Sequence, residues 1–235
     1  MIYQEFLSLL DPATPGLNNE NKRKIWDYFS LLYEENQKQN LTGYKNIEEY
    51  LVYHLQDTLK QLGTVDIQGG VLTDVGSGAG IPGILIKIMR PDLKVMLMES
   101  MKKKGIFLRK AIDHLELANV EVIIARAEQT AHDERYREQS DYVTARALAP
   151  LSQALELTAG FVKVGGKLFL PRGIDETNEN HEKSVLETLN LQLEREEYYS
   201  LRGREKQYRL AVYKKIKNTP EKYPRNPGQI RKRPL

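Results

Sequence analysis

The tightest constraint in this chain is one glycine-rich turn, Asp74-Val75-Gly76-Ser77-Gly78-Ala79-Gly80-Ile81-Pro82-Gly83. It follows the short apolar run Val71 to Val75, and Pro82 stands where a helix can begin. Strand, glycine turn and helix in that order form the setting in which a backbone cradles a nucleotide-like ligand. The rhythm then repeats. Strands are predicted at Lys94–Met98, Val120–Ala125, Asp141–Ala145 and Gly166–Leu170, with helices at Lys102–Leu117 and Pro150–Val164. Such alternation predicts an α/β fold, with right-handed βαβ units on a mostly parallel sheet.

The two ends differ. Residues 1–62 have helical periodicity: Ile25, Phe29 and Leu32, with Trp26 and Tyr33 flanking, then a helix from Ile47 to Leu62 capped by Asn46 and Glu49. Past the alternating region, Leu191–Ser200 and Gln207–Ile216 read as an antiparallel edge hairpin joined through Arg202-Gly203. Asn218 to Leu235 holds four prolines and no apolar periodicity, so it reads as a loose basic arm. The expected organisation is a helical segment over 1–62, an α/β domain over 63–217 and a tail over 218–235.

Charge is as uneven as periodicity. The formal net charge is +3, yet the segment from Arg202 onward carries about +10 and the first 201 residues about −7. A basic block on an acidic body points to a polyanionic partner; a solvated tail that only aids solubility is the alternative. There is no cysteine, which removes disulfides, cysteine zinc sites and cysteine nucleophiles together. The first eleven residues do not read as a signal peptide, and no run approaches the roughly 18 apolar residues of a membrane span. A cytoplasmic monomer without a bound metal and without membrane contact is expected.

The turn is not the dinucleotide fingerprint, because its sixth position is Ile81 rather than glycine. Glycines at the first, third and fifth positions (Gly76, Gly78, Gly80), preceded by Asp74, form the S-adenosylmethionine variant, with the methionine portion expected along the glycines. Glu99, at the end of the next strand, is placed to accept both ribose hydroxyls. Arg126-Ala127-Glu128 follows the third strand on the adenine side. Thr144-Ala145-Arg146-Ala147 follows the fourth, where the methyl acceptor should enter. The Asn/Asp-Pro-Pro-Tyr/Phe motif of base amino methylation is missing there, and cytosine C5 methylation commonly needs a cysteine.

In this order stand Asn40-Leu41-Thr42, His54-Leu55-Gln56-Asp57-Thr58, the turn, Lys103-Lys104-Gly105-Ile106-Phe107-Leu108 and Ala145-Arg146-Ala147. Together they resemble the RsmG family, also called glucose-inhibited division protein B, from about Lys22 to the end. Lys222-Tyr223-Pro224-Arg225-Asn226-Pro227-Gly228 resembles its Gram-positive branch. The resemblance implies a class I, Rossmann-like methyltransferase acting on N7 of a guanosine in 16S rRNA, with the small ribosomal subunit or its RNA as partner. It also implies cofactor contacts at Gly76, Ile81, Ala127, Glu128 and Arg146. The family commonly has Phe or Leu at the position of Ile81, and His-Leu-Leu-Asp-Ser where this chain has His54 to Thr58.

Guanine N7 has an in-plane lone pair and no proton, so alignment and electrostatics are expected to carry the reaction. Arg146 can donate to guanine O6; its alternative is a structural ion pair. Asn40, Lys45, His54 and Asp57 are expected to line the acceptor side, with a buried structural role the alternative for His54. Lys102, Lys103 and Lys104 open a helix, an unfavourable place for cations that suggests phosphate contact; a solvated surface is the alternative. Arg126, Arg202, Arg204 and Arg225 extend the expected RNA patch. Two rivals remain at this point: a small-molecule methyltransferase, and a non-catalytic RNA-binding protein on the same fold.

Overall fold

A computed structural model describes residues 3–10, 17–43, 47–174, 179–201 and 206–235. Five strands run parallel: β1 (Val71–Val75), β2 (Lys94–Glu99), β3 (Val120–Ile124), β4 (Ser140–Thr144) and β5 (Val162–Gly173). β6 (Leu191–Ser200) and β7 (Gln207–Lys215) complete one sheet in the order β3-β2-β1-β4-β5-β7-β6, with β7 antiparallel to both neighbours. The α/β alternation and the terminal hairpin are therefore as the sequence predicts.

Side chains alternate across the central strands and feed two apolar layers. Leu72, Val95 and Leu97 face one layer, built with α1 (Tyr3–Leu10), α2 (Asn19–Gln39), α3 (Ile47–Thr64), α4 (Gly83–Met89) and α5 (Lys102–His114). Val75, Met96, Met98 and Val143 face the other. On that side lie α6 (Ala127–Thr130), α7 (Leu151–Ala159) and α8 (Glu179–Leu189). Strands buried on both faces read as continuous apolar runs, which is why β2, with Val95 to Met98, is legible in the sequence; β1 carries Thr73 and Asp74 and is marked by the glycine turn that follows it.

Four local expectations are corrected. The helix after β4 stops at Ala159 rather than Val164, because Gly160 ends it and Val162 already pairs with Ser140. β5 is longer than expected: Gly165, at φ +83°, lies in a register shift against β4 rather than at a strand start. α8 is absent from the sequence reading, although Val185, Leu186 and Leu189 are buried at helical spacing. Tyr33 is 48% exposed and does not belong to the buried stripe of α2. Asn46 and the hairpin connection Arg202-Gly203 lie outside the described residues.

The C-terminal segment is the largest correction, because it is docked rather than loose. Thr219, Tyr223 and Ile230 are buried, and Pro227–Lys232 forms α9, capped by the Asn226 side chain. The anchor is Glu156 of α7, whose side chain is fully buried. Arg225 meets it with two side-chain hydrogen bonds, Nε to Oε1 at 2.8 Å and Nη2 to Oε2 at 2.6 Å. Arg137 adds donors to the carbonyls of Thr219 (2.7 Å) and Tyr223 (3.1 Å). A buried carboxylate needs its countercharge, so Arg225 is a structural partner and not a free RNA contact. Two other cations of the basic block are internal as well: Arg209 grips Glu182, and Lys215 is enclosed beside Glu138 and Thr219.

Removing one partner of a buried pair leaves the other charge uncompensated. Arg225→Ala is therefore expected to cost about 3 kcal/mol, or roughly 6–12 °C of melting temperature. Scanning calorimetry of the full chain checks this; an unchanged melting temperature would show that the segment does not dock in solution.

Candidate active site

The turn after β1 is held from three directions. Its own strand supplies Asp74, whose buried carboxylate accepts the Gly83 N–H at 3.0 Å, while Ser77 Oγ donates to the Asp74 carbonyl at 2.8 Å. From β2, the Met98 carbonyl accepts the N–H groups of Gly76 and Ser77, and Glu99 accepts that of Gly78 at 2.9 Å. From α2, the buried Tyr28 hydroxyl donates to the Ala79 carbonyl at 2.5 Å. Gly78 and Gly80 sit at φ +60° and +101°, where L side chains are strained. Their surroundings differ. A Cβ on Gly78 would meet nothing nearer than 3.9 Å and would enter open space, whereas one on Gly80 would lie 2.5 Å from Ile84 Cδ1. Gly78 leaves room for a ligand; Gly80 leaves room for α4.

This turn and the loop after β4 share the carboxyl ends of adjacent strands, the usual ligand position in such sheets. Between them opens a cavity of about 850 Å³. One end is walled by Gly76 to Ala79, Ile81, Glu99, Lys104 and Arg126. The other is walled by His54 and Asp57 of α3, Arg146 after β4, and Tyr208 of β7.

The second end is a charged and aromatic network. Asp57 is 1% exposed. Its Oδ2 lies 3.2 Å from Arg146 Nε and accepts from Gln61 Nε2 at 3.2 Å; its Oδ1 accepts from the Tyr199 hydroxyl. The Arg146 guanidinium stands 4.8 Å over the Tyr53 ring, and Tyr53 meets Tyr208 edge-on at 5.6 Å. Arg146 Nη1 is buried and has no hydrogen-bond partner among the described residues. Burial pushes the Asp57 carboxyl up to about 6, against the hydrogen bonds from Tyr199 and Gln61. Burial also raises Asp74 to about 7, opposed by the Gly83 N–H and assisted by the charge of Glu99.

The residues singled out from the sequence divide. Gly76, Gly78, Ile81, Glu99, Lys104, Arg126 and Arg146 line the cavity, as do His54 and Asp57. Asp74 lies behind the turn, and Gly80 serves helix packing. Ala127 and Glu128 open α6 beside Arg126 without lining the cavity. Asn40 is an exposed left-handed C-cap of α2, while its neighbours Leu41, Thr42 and Gly43 reach the cavity instead. Lys103 donates to the carbonyls of Gln39 (3.0 Å) and Asn40 (3.4 Å), so it closes the end of α2. Lys102 is exposed at the start of α5, outside the cavity. Lys45, Arg202 and Arg204 lie outside the described residues. Tyr53, Gln61, Tyr199 and Tyr208 were missed. Tyr53 directly precedes His54 in the sequence; Tyr199 reaches Asp57 across 142 residues with no local signal.

The geometry fits S-adenosylmethionine. Open space faces Gly78 at the turn end of the cavity. Glu99 uses one acceptor position per oxygen on Gly78 and Met101, leaving others for hydroxyl donors. Among the described residues no cluster of ligating side chains could hold a metal ion, and no helix is long and apolar enough to cross a membrane.

Comparison with known proteins agrees. Solved structures of similar fold include M. jannaschii TYW2 in complex with AdoMet, with a TM-score of 0.54 and 17% identity over 68% of this chain and 77% of that one. The ribosomal protein L11 methylase of Lactobacillus delbrueckii subsp. bulgaricus gives 0.52 and 16% over 73% and 81%. At these identities they establish the fold alone. In sequence, the ribosomal RNA small subunit methyltransferase G of Carboxydothermus hydrogenoformans is 41% identical over 210 residues, covering 88% of this chain and 89% of that protein. The protein of that name from Streptococcus pneumoniae strain R6 is 37% identical over 99% of both. The family described as GidB, rRNA small subunit methyltransferase G, matches residues 21–208, and the chain belongs to it.

Proposed function

We propose that this protein transfers a methyl group from S-adenosylmethionine to N7 of a guanosine in 16S rRNA, in the bacterial cytoplasm. The observation that carries the reading is the single cavity walled at one end by the glycine turn and Glu99 and at the other by Arg146, Asp57 and His54. The bound cofactor supplies an electrophilic methyl group on a sulfonium. Gly76, Gly78 and Ile81 line its methionine portion, Glu99 takes the ribose hydroxyls, and Asp74 holds the turn. Ala127 and Glu128, which open α6 next to the cavity-lining Arg126, are assigned to the adenine side. Because N7 carries a lone pair and no proton, the chain need supply no general base; it aligns the base and compensates developing charge. Arg146 Nη1 donates to guanine O6, and the Asp57 carboxylate offsets the positive charge that grows on the base.

Arg126, Lys104 and Lys102 are offered to RNA phosphates on the cofactor side. A second group rides on the docked C-terminal segment: Lys222, Arg231, Lys232 and Arg233 are exposed and have no ion pair among the described residues. α9 packs on α7, and Ala154 of α7 lines the cavity. This segregation of paired anchors from unpaired display favours an RNA substrate over a small molecule.

Methyl transfer from labelled cofactor to 16S rRNA, small-subunit particles and free nucleosides tests the reading, with product expected only on RNA or particles. Three variants sharpen it. Gly78→Val places a β-branched side chain in the cavity and should abolish cofactor binding by calorimetry while the melting transition survives; unchanged affinity would remove the turn from the site. Arg146→Ala should slow single-turnover methylation by about 100-fold with RNA affinity nearly intact. If RNA affinity collapses while the rate on saturating RNA stays normal, Arg146 is a phosphate contact only. Replacing Lys222, Arg231, Lys232 and Arg233 by Ala should flatten the plot of log affinity against log salt by up to about 3 units. Parallel salt plots would show that these four cations do not touch RNA.

A further inference from the structure

We infer that Tyr199 is a positioning residue for methyl transfer: by holding the Asp57 carboxylate it aims the Arg146 guanidinium into the cavity. The inference rests on the reading of Arg146 given above and adds what sets the orientation of that side chain.

An arginine side chain has several rotatable bonds and must lose that freedom to present one donor to a base. Here it is fixed at two points. Nε is drawn to Asp57 Oδ2 at 3.2 Å, and the guanidinium plane rests 4.8 Å over the Tyr53 ring. Those contacts leave Nη1 buried and without a partner among the described residues. A buried N–H left unsatisfied is costly, so its persistence at a cavity wall marks a donor reserved for a ligand. Asp57 can steer Arg146 only if it is itself held. Gln61 holds Oδ2 from one turn further along α3, and Tyr199 takes Oδ1 from β6. The chain is thus Tyr199 to Asp57 to Arg146, with one member each from the edge hairpin, α3 and the loop after β4.

The surroundings of Asp57 set the expected pH behaviour. Facing it are Tyr199 from β6, Arg146, Gln61 and, one turn earlier on α3, Tyr53 and His54; Tyr208 of β7 touches Tyr53 and Tyr199. Lys60 lies 6.0 Å from the Tyr199 ring and pairs with Glu197. Burial raises the Asp57 carboxyl to about 6, while the Tyr199 hydrogen bond favours the charged form. Protonation removes the charge that orients Arg146, so activity should fall as pH drops through about 6. Loss of the tyrosine hydroxyl removes a lowering influence, so it moves that acid limb to higher pH.

The test is single-turnover methylation of small-subunit particles by full-length wild type, Tyr199→Phe and Asp57→Asn, between about pH 5 and 8. Tyr199→Phe should be slower by about tenfold or more at neutral pH, with its acid limb shifted alkaline. Its cofactor affinity should match wild type, and its melting temperature should fall by only a few degrees for the one hydrogen bond lost from a buried carboxylate. Asp57→Asn should lack the limb. The inference is overturned by a Tyr199→Phe profile that superimposes on wild type, or by a slowing that only tracks lost cofactor affinity or stability. A limb that persists in Asp57→Asn overturns it too, because another group such as His54 then titrates. Normal turnover by Arg146→Ala would instead sink the underlying reading of Arg146, an outcome separate from these.

Discussion

The structure depends most on how the glycine turn at the end of β1 is kept in place. Gly76, Gly78 and Gly80 take positive φ angles that glycine adopts without steric cost, and their neighbours fix the backbone in that conformation. β2 binds it through the Met98 carbonyl and Glu99, Asp74 ties it to the start of α4, and Tyr28 of α2 clamps its outer side. The helical N-terminal region is therefore part of the cofactor end of the cavity. Glu99 fixes the turn through the Gly78 N–H, and it is the same carboxylate that we propose for the ribose hydroxyls.

The opposite end of the cavity obeys a different physics. Buried charge shapes it, together with one non-glycine residue in the left-handed region, Ala147 at φ +49°, directly after Arg146. Asp57 and Arg146 stabilise each other in a poorly solvated setting; Tyr199 holds Asp57 and Tyr53 covers the guanidinium, while Arg146 Nη1 has no partner among the described residues. Buried ion pairs contribute little net stability but define geometry where the remaining hydrogen-bonding capacity is satisfied. The same device recurs away from the cavity, where Glu156 with Arg225 and Glu182 with Arg209 pin the C-terminal segment and the hairpin. Charges that look alike in the chain thus differ in role: those with buried partners build the scaffold, and those proposed for RNA contact stand exposed on the surface.

Much of the fold was legible because its signals are local. β2 holds a continuous apolar run, β1 leads directly into a turn written in glycines, and the hairpin strands stand apart from the helical rhythm. α8 escaped because its buried stripe of Val185, Leu186 and Leu189 is short and set among charges. The extended β5 escaped because Gly165-Gly166 reads as a break, whereas in the sheet the pair occupies an irregularity that lets one strand continue. The C-terminal segment escaped because prolines and missing periodicity signal the absence of regular structure, not the absence of burial. A partner such as Glu156 lies 69 residues away from Arg225.

At the site the division is the same. The sequence by itself determined the α/β alternation, the turn, the acid at the end of β2 and the arginine after β4, because each is an element of a strand or its first loop. Only the tertiary structure decided which cations are free. Arg225 became an anchor and Lys103 a helix cap because a carboxylate or a row of carbonyls, distant in the chain, lay within reach. It also decided that Asn40 turns a helix end while Thr42 and Gly43 meet the cavity, and that Tyr199 stands behind Asp57. The physical reason is that periodicity and turn chemistry act over a few residues. Burial, and the countercharge that burial demands, are properties of where the chain comes back upon itself.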